Sequence, residues 1–300
     1  MILRSRQTTF VDNSIEALHK HNNTLSVACT GFGKTICLSA ITDRMLNGSG
    51  TKALIVQHRD ELLKQNSETF LNVCPDRKIS FFNAERKSFR GQVVFAMIQT
   101  IVNHLDSLPA FDLVVFDEAH HNGANSYRKL TEKVKDLNSN VKILGVTATP
   151  QRSDNKGLKE TFDNVADIVT IGEMVNAGHL VEPRGMVIDI GTQQELQGVK
   201  KSANEYDMAE VEAIQNKTVL NNKVAEKWLE LSPQRVSVAF CATIKHAIDV
   251  KNTFRGFGIE AEAIHSQMPI KERRAILSAH NRGEIQVLTN PMILTEGWDN

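Results

Sequence analysis

Ala28-Cys-Thr-Gly-Phe-Gly-Lys-Thr35 follows the apolar run Thr24–Ala28 and leads directly into a stretch of helical period, Lys34–Asn47. A strand, a glycine-containing loop and a helix in that order form a phosphate-binding loop. Gly31 and Gly33 let the backbone curl until several N–H groups and the helix N-terminus face one anion. On that reading Thr30, Gly31, Phe32 and Gly33 cradle phosphate through their backbone, Lys34 reaches the outer phosphates, and the Thr35 hydroxyl ligates Mg2+. Ala28 stands where the strict pattern has its first glycine. A Gly-Lys-Thr also turns up in unrelated loops, so the reading needs a second element.

Leu113-Val-Val-Phe-Asp-Glu-Ala-His120 supplies it: an apolar strand that ends in two adjacent carboxylates. At the carboxyl edge of a parallel sheet, Asp117 would hold Mg2+ and Glu118 would orient and deprotonate an attacking water. The plainer alternative is a solvated acidic pair at a helix N-terminus, where carboxylates are favoured. Phosphate positioning, a metal and an aimed water are together what hydrolysis of a nucleoside triphosphate requires.

Outward from these two stretches the chain alternates short β-branched runs with longer helical-period stretches, the pattern of parallel strands joined by crossover helices. In the first half the strand candidates are Thr24–Ala28, Ala53–Val56, Val93–Ala96, Leu113–Phe116 and Ile143–Val146, with helices over Lys34–Asn47, Asp60–Leu71 and Tyr127–Leu137. From about 163 to 198 the pattern turns irregular, punctuated by Gly172, Gly178, Pro183, Gly185 and Gly191, which predicts a domain boundary. A polar helical stretch, Tyr206–Leu231, then opens a second series: Val236–Phe240, Thr243–Phe254, Ile259–Ile264, Ile270–Asn281 and Ile285–Leu288. Phe81, Phe82 and Phe89 interleaved with Arg86, Lys87 and Arg90 resemble a nucleic-acid surface, though strand core beside a solvated loop is the plainer reading.

With 300 residues, 41% apolar and 23% charged, the composition is globular and excludes disordered and fibrous classes. The 35 basic and 35 acidic side chains balance overall, while residues 1–150 carry 18 and 14 and the remainder 17 and 21. That asymmetry decides nothing about a nucleic-acid partner, which is gripped by a local groove. Cys29, Cys37, Cys74 and Cys241 show neither zinc-ligand spacing nor a disulfide framework and read as reduced, buried thiols. No apolar run is long enough to span a bilayer and the N-terminus has no secretory core, so no membrane association and a cytoplasmic location are expected, in a bacterium or a phage-infected host.

Asp117-Glu-Ala-His120 spells the DEAH box, and the chain resembles the superfamily 2 helicases over nearly its whole length. Arg4 and Gln7 look like that family's Q-type motif, whose glutamine reads the adenine edge. Ala53–Gln65 resembles motif Ia and Val94–Thr100 motif Ib, which would set Gln57, Arg59, Gln99 and Thr100 against a nucleic-acid backbone. Thr147-Ala-Thr-Pro150 matches motif III, giving Thr147 and Thr149, together with His120, a role in coupling the nucleotide site to the bound strand. Val238–Thr243 looks like motif IV. Leu288–Asp299 matches motif V, where Thr289 and Thr295 would meet nucleic acid and Gly297 and Asp299 would approach the nucleotide. The combination is most similar to restriction-enzyme translocase subunits and DNA repair helicases.

The resemblance implies two RecA-like α/β domains with parallel sheets: an ATP-binding domain over residues 1–170 and a helicase C-terminal domain over 180–300. It implies ATP-driven movement along nucleic acid, with DNA favoured over RNA. One departure stands out, because the family's Gln-x-x-Gly-Arg-x-x-Arg motif does not occur before Asn300. Its arginines neutralise charge on the transferring phosphoryl group, and losing such a finger costs roughly 10³–10⁵ in rate. Two further expectations follow. The second domain is incomplete, with an exposed sheet edge where a completing helix and strand are lacking, and a second chain supplies the fingers, or the chain is an ATP- and nucleic-acid-binding switch that does not hydrolyse.

Overall fold

Strand residues in the first half are apolar in both alternating sets: Ala53 and Ile55 point to one face of the sheet, and Leu54 and Val56 to the other. A sheet buried on both faces needs helices on each side and reads as a continuous apolar run. The computed structural model, which describes residues 2–48, 50–120, 125–149, 158, 161–188, 191–202 and 205–291, has this architecture. Two compact units divide at Pro183 and Arg184.

The first unit runs α1 (Ser5–Lys20), β1 (Asn23–Ala28), α2 (Lys34–Met45), β2 (Ala53–Gln57), α3 (Asp60–Val73), β3 (Ile79–Phe82) and β4 (Val93–Met97). It continues through α4 (Ile98–Ile101) with a 3₁₀ turn at Val102–Ser107, β5 (Leu113–Asp117), α5 (Asn125–Leu137), β6 (Lys142–Thr147), β7 (Asn164–Val169) and α6 (Ile171–Asn176). Its seven strands are all parallel, in the order β3-β4-β2-β5-β6-β1-β7. Phe10, Val11 and Leu18 of α1, Cys37, Leu38 and Ile41 of α2, and Leu63 and Phe70 of α3 fill one face. Ile101, Tyr127, Leu130, Val134 and Phe162 fill the other.

The five strands and three helices expected in this half are present. Two strands were not anticipated as such: β3, which buries Phe82 but leaves Phe81 half-exposed, and β7, an edge strand whose Val165 and Ile168 face outward. The first unit extends beyond residue 170 because α6 buries Met174 and Leu180 packs on the same core. Gly145 is dictated by packing. A Cβ there would lie 2.3 Å from Cζ of Phe162.

The second unit contains α7 (Gln193–Gln197), a short antiparallel pair β8 (Lys201–Ser202) and β9 (Glu205–Tyr206), α8 (Met208–Gln215) and α9 (Thr218–Leu231). The stretch read as one helix is thus two, broken at Asn216-Lys217. Then come β10 (Ser237–Phe240), α10 (Ile244–Gly256), β11 (Ala261–Ala263), α11 (Ile270–Asn281) and β12 (Val287–Asn290). The three longer strands form a parallel sheet, β10-β12-β11. The last strand therefore runs down the middle, and the outer strands among the described residues are β10 and β11. Trp228 stacks edge-on to Phe254 at 5.7 Å and donates its indole N–H to Ser237 Oγ at 2.8 Å, tying α9 to this sheet.

Candidate nucleotide site

Parallel order places the loops after β1, β5 and β6 at the same carboxyl edge, with β6 hydrogen-bonded between the other two. After β1, Gly31 and Gly33 take φ of 82° and 92°, conformations that L-residues with a Cβ avoid. The loop they shape is braced from α1. Phe32 is fully buried edge-on against Phe10 at 5.2 Å, and its carbonyl accepts hydrogen bonds from Arg4 Nη2 at 2.7 Å and Gln7 Nε2 at 2.8 Å. Gln7 Oε1 in turn accepts from the Arg4 backbone N–H, capping the helix.

One sequence assignment changes in consequence. Gln7, 3% exposed, spends both ends of its amide on the chain itself instead of presenting an adenine-reading edge, while Phe32 keeps its side chain in the core. Thr30 and Gly31 are exposed, and Lys34 opens α2 half-buried.

Asp117 closes β5 almost wholly buried. Burial pushes its carboxyl pKa up, opposed by a hydrogen bond from Asn66, the Lys34 charge and the Glu118 N–H. Asn66 Nδ2 donates to Asp117 Oδ2 at 2.6 Å, and Asn66 Oδ1 accepts the Thr35 hydroxyl at 3.2 Å, so one carboxamide bridges the two residues expected to hold Mg2+. Sequence reading missed Asn66. The signal was present, since α3 buries Leu63, Asn66 and Phe70 at helical spacing and Asn66 is polar in an otherwise apolar stripe.

Glu118 follows at φ 51°, the one non-glycine residue with positive φ among those described, and its N–H donates to Asp117 Oδ1 at 3.0 Å. Strain of this kind collects at functional positions. Its carboxylate Oε2 lies 3.4 Å from His120 Nδ1, which also sits 3.0 Å from Thr147 Oγ1. Thr147 Oγ1 donates to Thr149 O at 3.0 Å and accepts the Thr149 N–H at 3.2 Å. Glu118, His120, Thr147 and Thr149 form one connected set.

The residues suit a hard divalent cation. Thr35 gives its proton to Asn66 and keeps free lone pairs, and each oxygen of Asp117 holds one donor with capacity left over. Gln57, one strand away on the same sheet face as Asp117, has both amide atoms buried and unpartnered among the described residues, polar capacity that a hydrated ion would satisfy.

The residues assigned to nucleic acid divide. Gln99 is exposed and its Nε2 donates to His58 O at 3.1 Å, tying the short helix α4 after β4 to the loop after β2, with Arg59 and Thr100 half-buried. Gln57 is 1% exposed and Thr289 fully buried, the latter donating to Ala247 O at 2.8 Å, so neither presents a polar group to a strand lying on the surface. Thr295, Gly297 and Asp299 lie outside the described residues. All four cysteines are buried free thiols, and burial raises Cys37 and Cys241 to about 12 and Cys74 to about 11. No helix among the described residues is long and apolar enough to cross a membrane.

Residues 1–152 match the family described as type III restriction enzyme, res subunit. The chain belongs to this family. Residues 220–300 match the helicase conserved C-terminal domain, and the two together place the res-type chain among the superfamily 2 helicases, whose ATPase is of the helicase type. IRC3 of Saccharomyces cerevisiae, named for ATP-dependent helicase activity, is 26% identical over 316 residues, taking in 99% of this chain and 45% of IRC3. The chain spans about half the length of the curated relatives it matches. LlaBIII, an ATP-dependent type ISP restriction-modification enzyme bound to DNA, is similar at a TM-score of 0.68 and 18% identity, over 100% of this chain and 25% of that one. A fragment of an HsdR type I restriction subunit from Vibrio vulnificus YJ016 reaches 0.70 at 17% identity, over 100% and 56%. At such identities the structural likeness speaks for the fold, two RecA-like parallel-sheet units.

Proposed function

We propose that this chain hydrolyses ATP and uses the reaction to move along nucleic acid, with DNA as the track. The observation that carries the proposal is the Thr35–Asn66–Asp117 bridge, which joins the phosphate loop to the acidic strand, with Glu118, His120 and Thr147 connected beside it. Lys34 and the loop N–H groups bind the phosphates. Thr35 and Asp117 would hold Mg2+, which supplies charge neutralisation at the transferring phosphoryl group. Glu118 is placed to take a proton from the attacking water, its carboxylate steadied by His120. The link through His120 to Thr147 supports a coupling role for those residues and for Thr149, and the tie between α4, which carries Gln99, and the loop that carries Arg59 supports a backbone contact. The relatives named as ATP-dependent DNA helicases support DNA over RNA.

The test is steady-state ATP hydrolysis with single-stranded DNA, single-stranded RNA or neither, beside Lys34→Ala and Glu118→Gln. Turnover stimulated by DNA, lost with Lys34→Ala together with nucleotide binding, and reduced about 10²–10⁴-fold by Glu118→Gln with binding intact, is expected. Nucleotide binding that requires Lys34 but yields no turnover with either nucleic acid would overturn the motor and leave a nucleotide-gated binding module. Turnover restored only by a second chain would identify that chain as the source of the arginine fingers.

A further inference from the structure

Asn66 is a buried polar residue whose two ends are used by two different partners. It is 2% exposed on the inner face of α3, in a stripe that otherwise packs Leu63 and Phe70 into the core. With Asp117 ionised, as a carboxylate that ligates a cation must be, the orientation of the Asn66 amide follows. An ionised Asp117 is acceptor-only, so Nδ2 must face Oδ2 at 2.6 Å, which leaves Oδ1 to take the Thr35 proton at 3.2 Å. A threonine hydroxyl has one proton and two lone pairs, and it turns a lone pair toward a cation only if the proton goes elsewhere. Asn66 Oδ1 is that acceptor. The same carboxamide fixes the rotation of the Asp117 carboxylate, whose other oxygen is held by the Glu118 N–H.

We propose that Asn66 is the positioning residue of the divalent-cation site, its carboxamide setting Thr35 and Asp117 so that both turn free lone pairs to one Mg2+. This rests on the assignment of Thr35 and Asp117 as the metal pair given above. Groups that orient ligands from outside the coordination sphere typically contribute 10–100-fold in metal affinity. Asn66 touches neither phosphate nor water in this role, so nucleotide affinity without metal should be independent of it.

The test compares wild type with Asn66→Ala and with Asn66→Leu, which fills nearly the same volume should the alanine variant not fold. Affinity for a fluorescent ATP analogue is measured in EDTA and in Mg2+, and Mn2+ uptake in the presence of ADP is followed by loss of the free-ion EPR signal. The expected result is analogue affinity in EDTA within about twofold of wild type, Mn2+ affinity reduced about 10–100-fold, and ATP turnover that recovers toward wild type as Mg2+ is raised. Mn2+ affinity within threefold of wild type in a folded variant overturns the proposal. Equal loss of analogue binding with and without metal also overturns it, because that is the signature of a disturbed loop. If wild type itself takes up no Mn2+ with ADP, the metal assignment of Thr35 and Asp117 fails along with the proposal, a result distinct from failure of Asn66 alone.

Discussion

Gly33→Ala tests the brace between α1 and the phosphate loop. Gly33 has φ 92°, and an alanine in the left-handed region costs about 1–2 kcal/mol. Its new Cβ would lie 2.7 Å from Gln7 Nε2, too close for any ordinary contact, so Gln7 must retract and give up its bond to the Phe32 carbonyl. Arg4 Nη2 still satisfies that carbonyl, which keeps the second loss near 1 kcal/mol. The sum is about 2–3 kcal/mol, which for a unit of this size lowers the melting temperature by roughly 4–12 °C. Thermal unfolding followed by circular dichroism checks it, beside Gln7→Ala and the double variant. With Gln7 shortened the clash disappears, so the double variant should lose about 1 kcal/mol less than the two single losses added. Affinity for an ATP analogue should fall in Gly33→Ala, since the loop N–H groups leave their positions. A Gly33→Ala protein within 0.5 kcal/mol of wild type, or strict additivity with Gln7→Ala, would refute the brace.

Three other outcomes are expected. Arg6 grips Asp167 with two bonds, 2.7 and 2.8 Å, and pins edge strand β7 to α1; burial alone would raise the Asp167 carboxyl, but Arg6 and Asn13 hold its pKa below the ordinary value. A depressed folded pKa contributes stability above the unfolded value of about 4 that is lost as pH falls through the folded one. Arg6→Leu should therefore cost about 1.5–3 kcal/mol in urea unfolding near pH 7, with the gap to wild type closing below about pH 4. Gly145→Ala, whose Cβ would meet three ring atoms of Phe162 at 2.3–2.9 Å, should cost about 1–3 kcal/mol, most of it recovered by adding Phe162→Leu in the same melt. Thr289→Val removes a buried donor to Ala247 O and should destabilise the second unit by about 1–2 kcal/mol while leaving DNA affinity within twofold in an anisotropy titration.

The phosphate loop and the acidic strand were legible because each is a fixed residue order in a fixed local context, and the apolar runs on either side of them announced buried parallel strands. What escaped depends on long-range contacts. Strand β7 was missed because as an edge strand it buries only Val169 fully and owes its place to Asp167 meeting Arg6 from the far end of the unit. Nothing local to Arg4 and Gln7 tells that Arg4 Nη2 and Gln7 Nε2 hydrogen-bond to the carbonyl of Phe32, 28 and 25 residues away. Gln57 and Thr289 look like surface polar residues in sequence, whereas the strands that carry them are covered on both faces, so both are buried. Asn66 had a legible signature, a polar residue at a core position of a helix, but its partners 31 and 51 residues away come together only through the sheet order.

Val146 of β6 is paired with Asp117 on one side and with Ser26 on the other. The offset between the acidic strand and the strand feeding the phosphate loop is therefore two inter-strand spacings, about 9.5 Å, a gauge ruled by main-chain hydrogen bonds. No side chain on β6 sets it. Substitutions along β6 that keep it a strand can alter how firmly the unit holds together without changing the span across which carboxylate and phosphate loop face each other. An inserted or deleted residue in β6 would instead move Thr147 out of step with His120 and with both neighbouring strands at once, so tolerance of substitution and intolerance of length change is the sequence behaviour this strand should show in any library selected for ATP turnover.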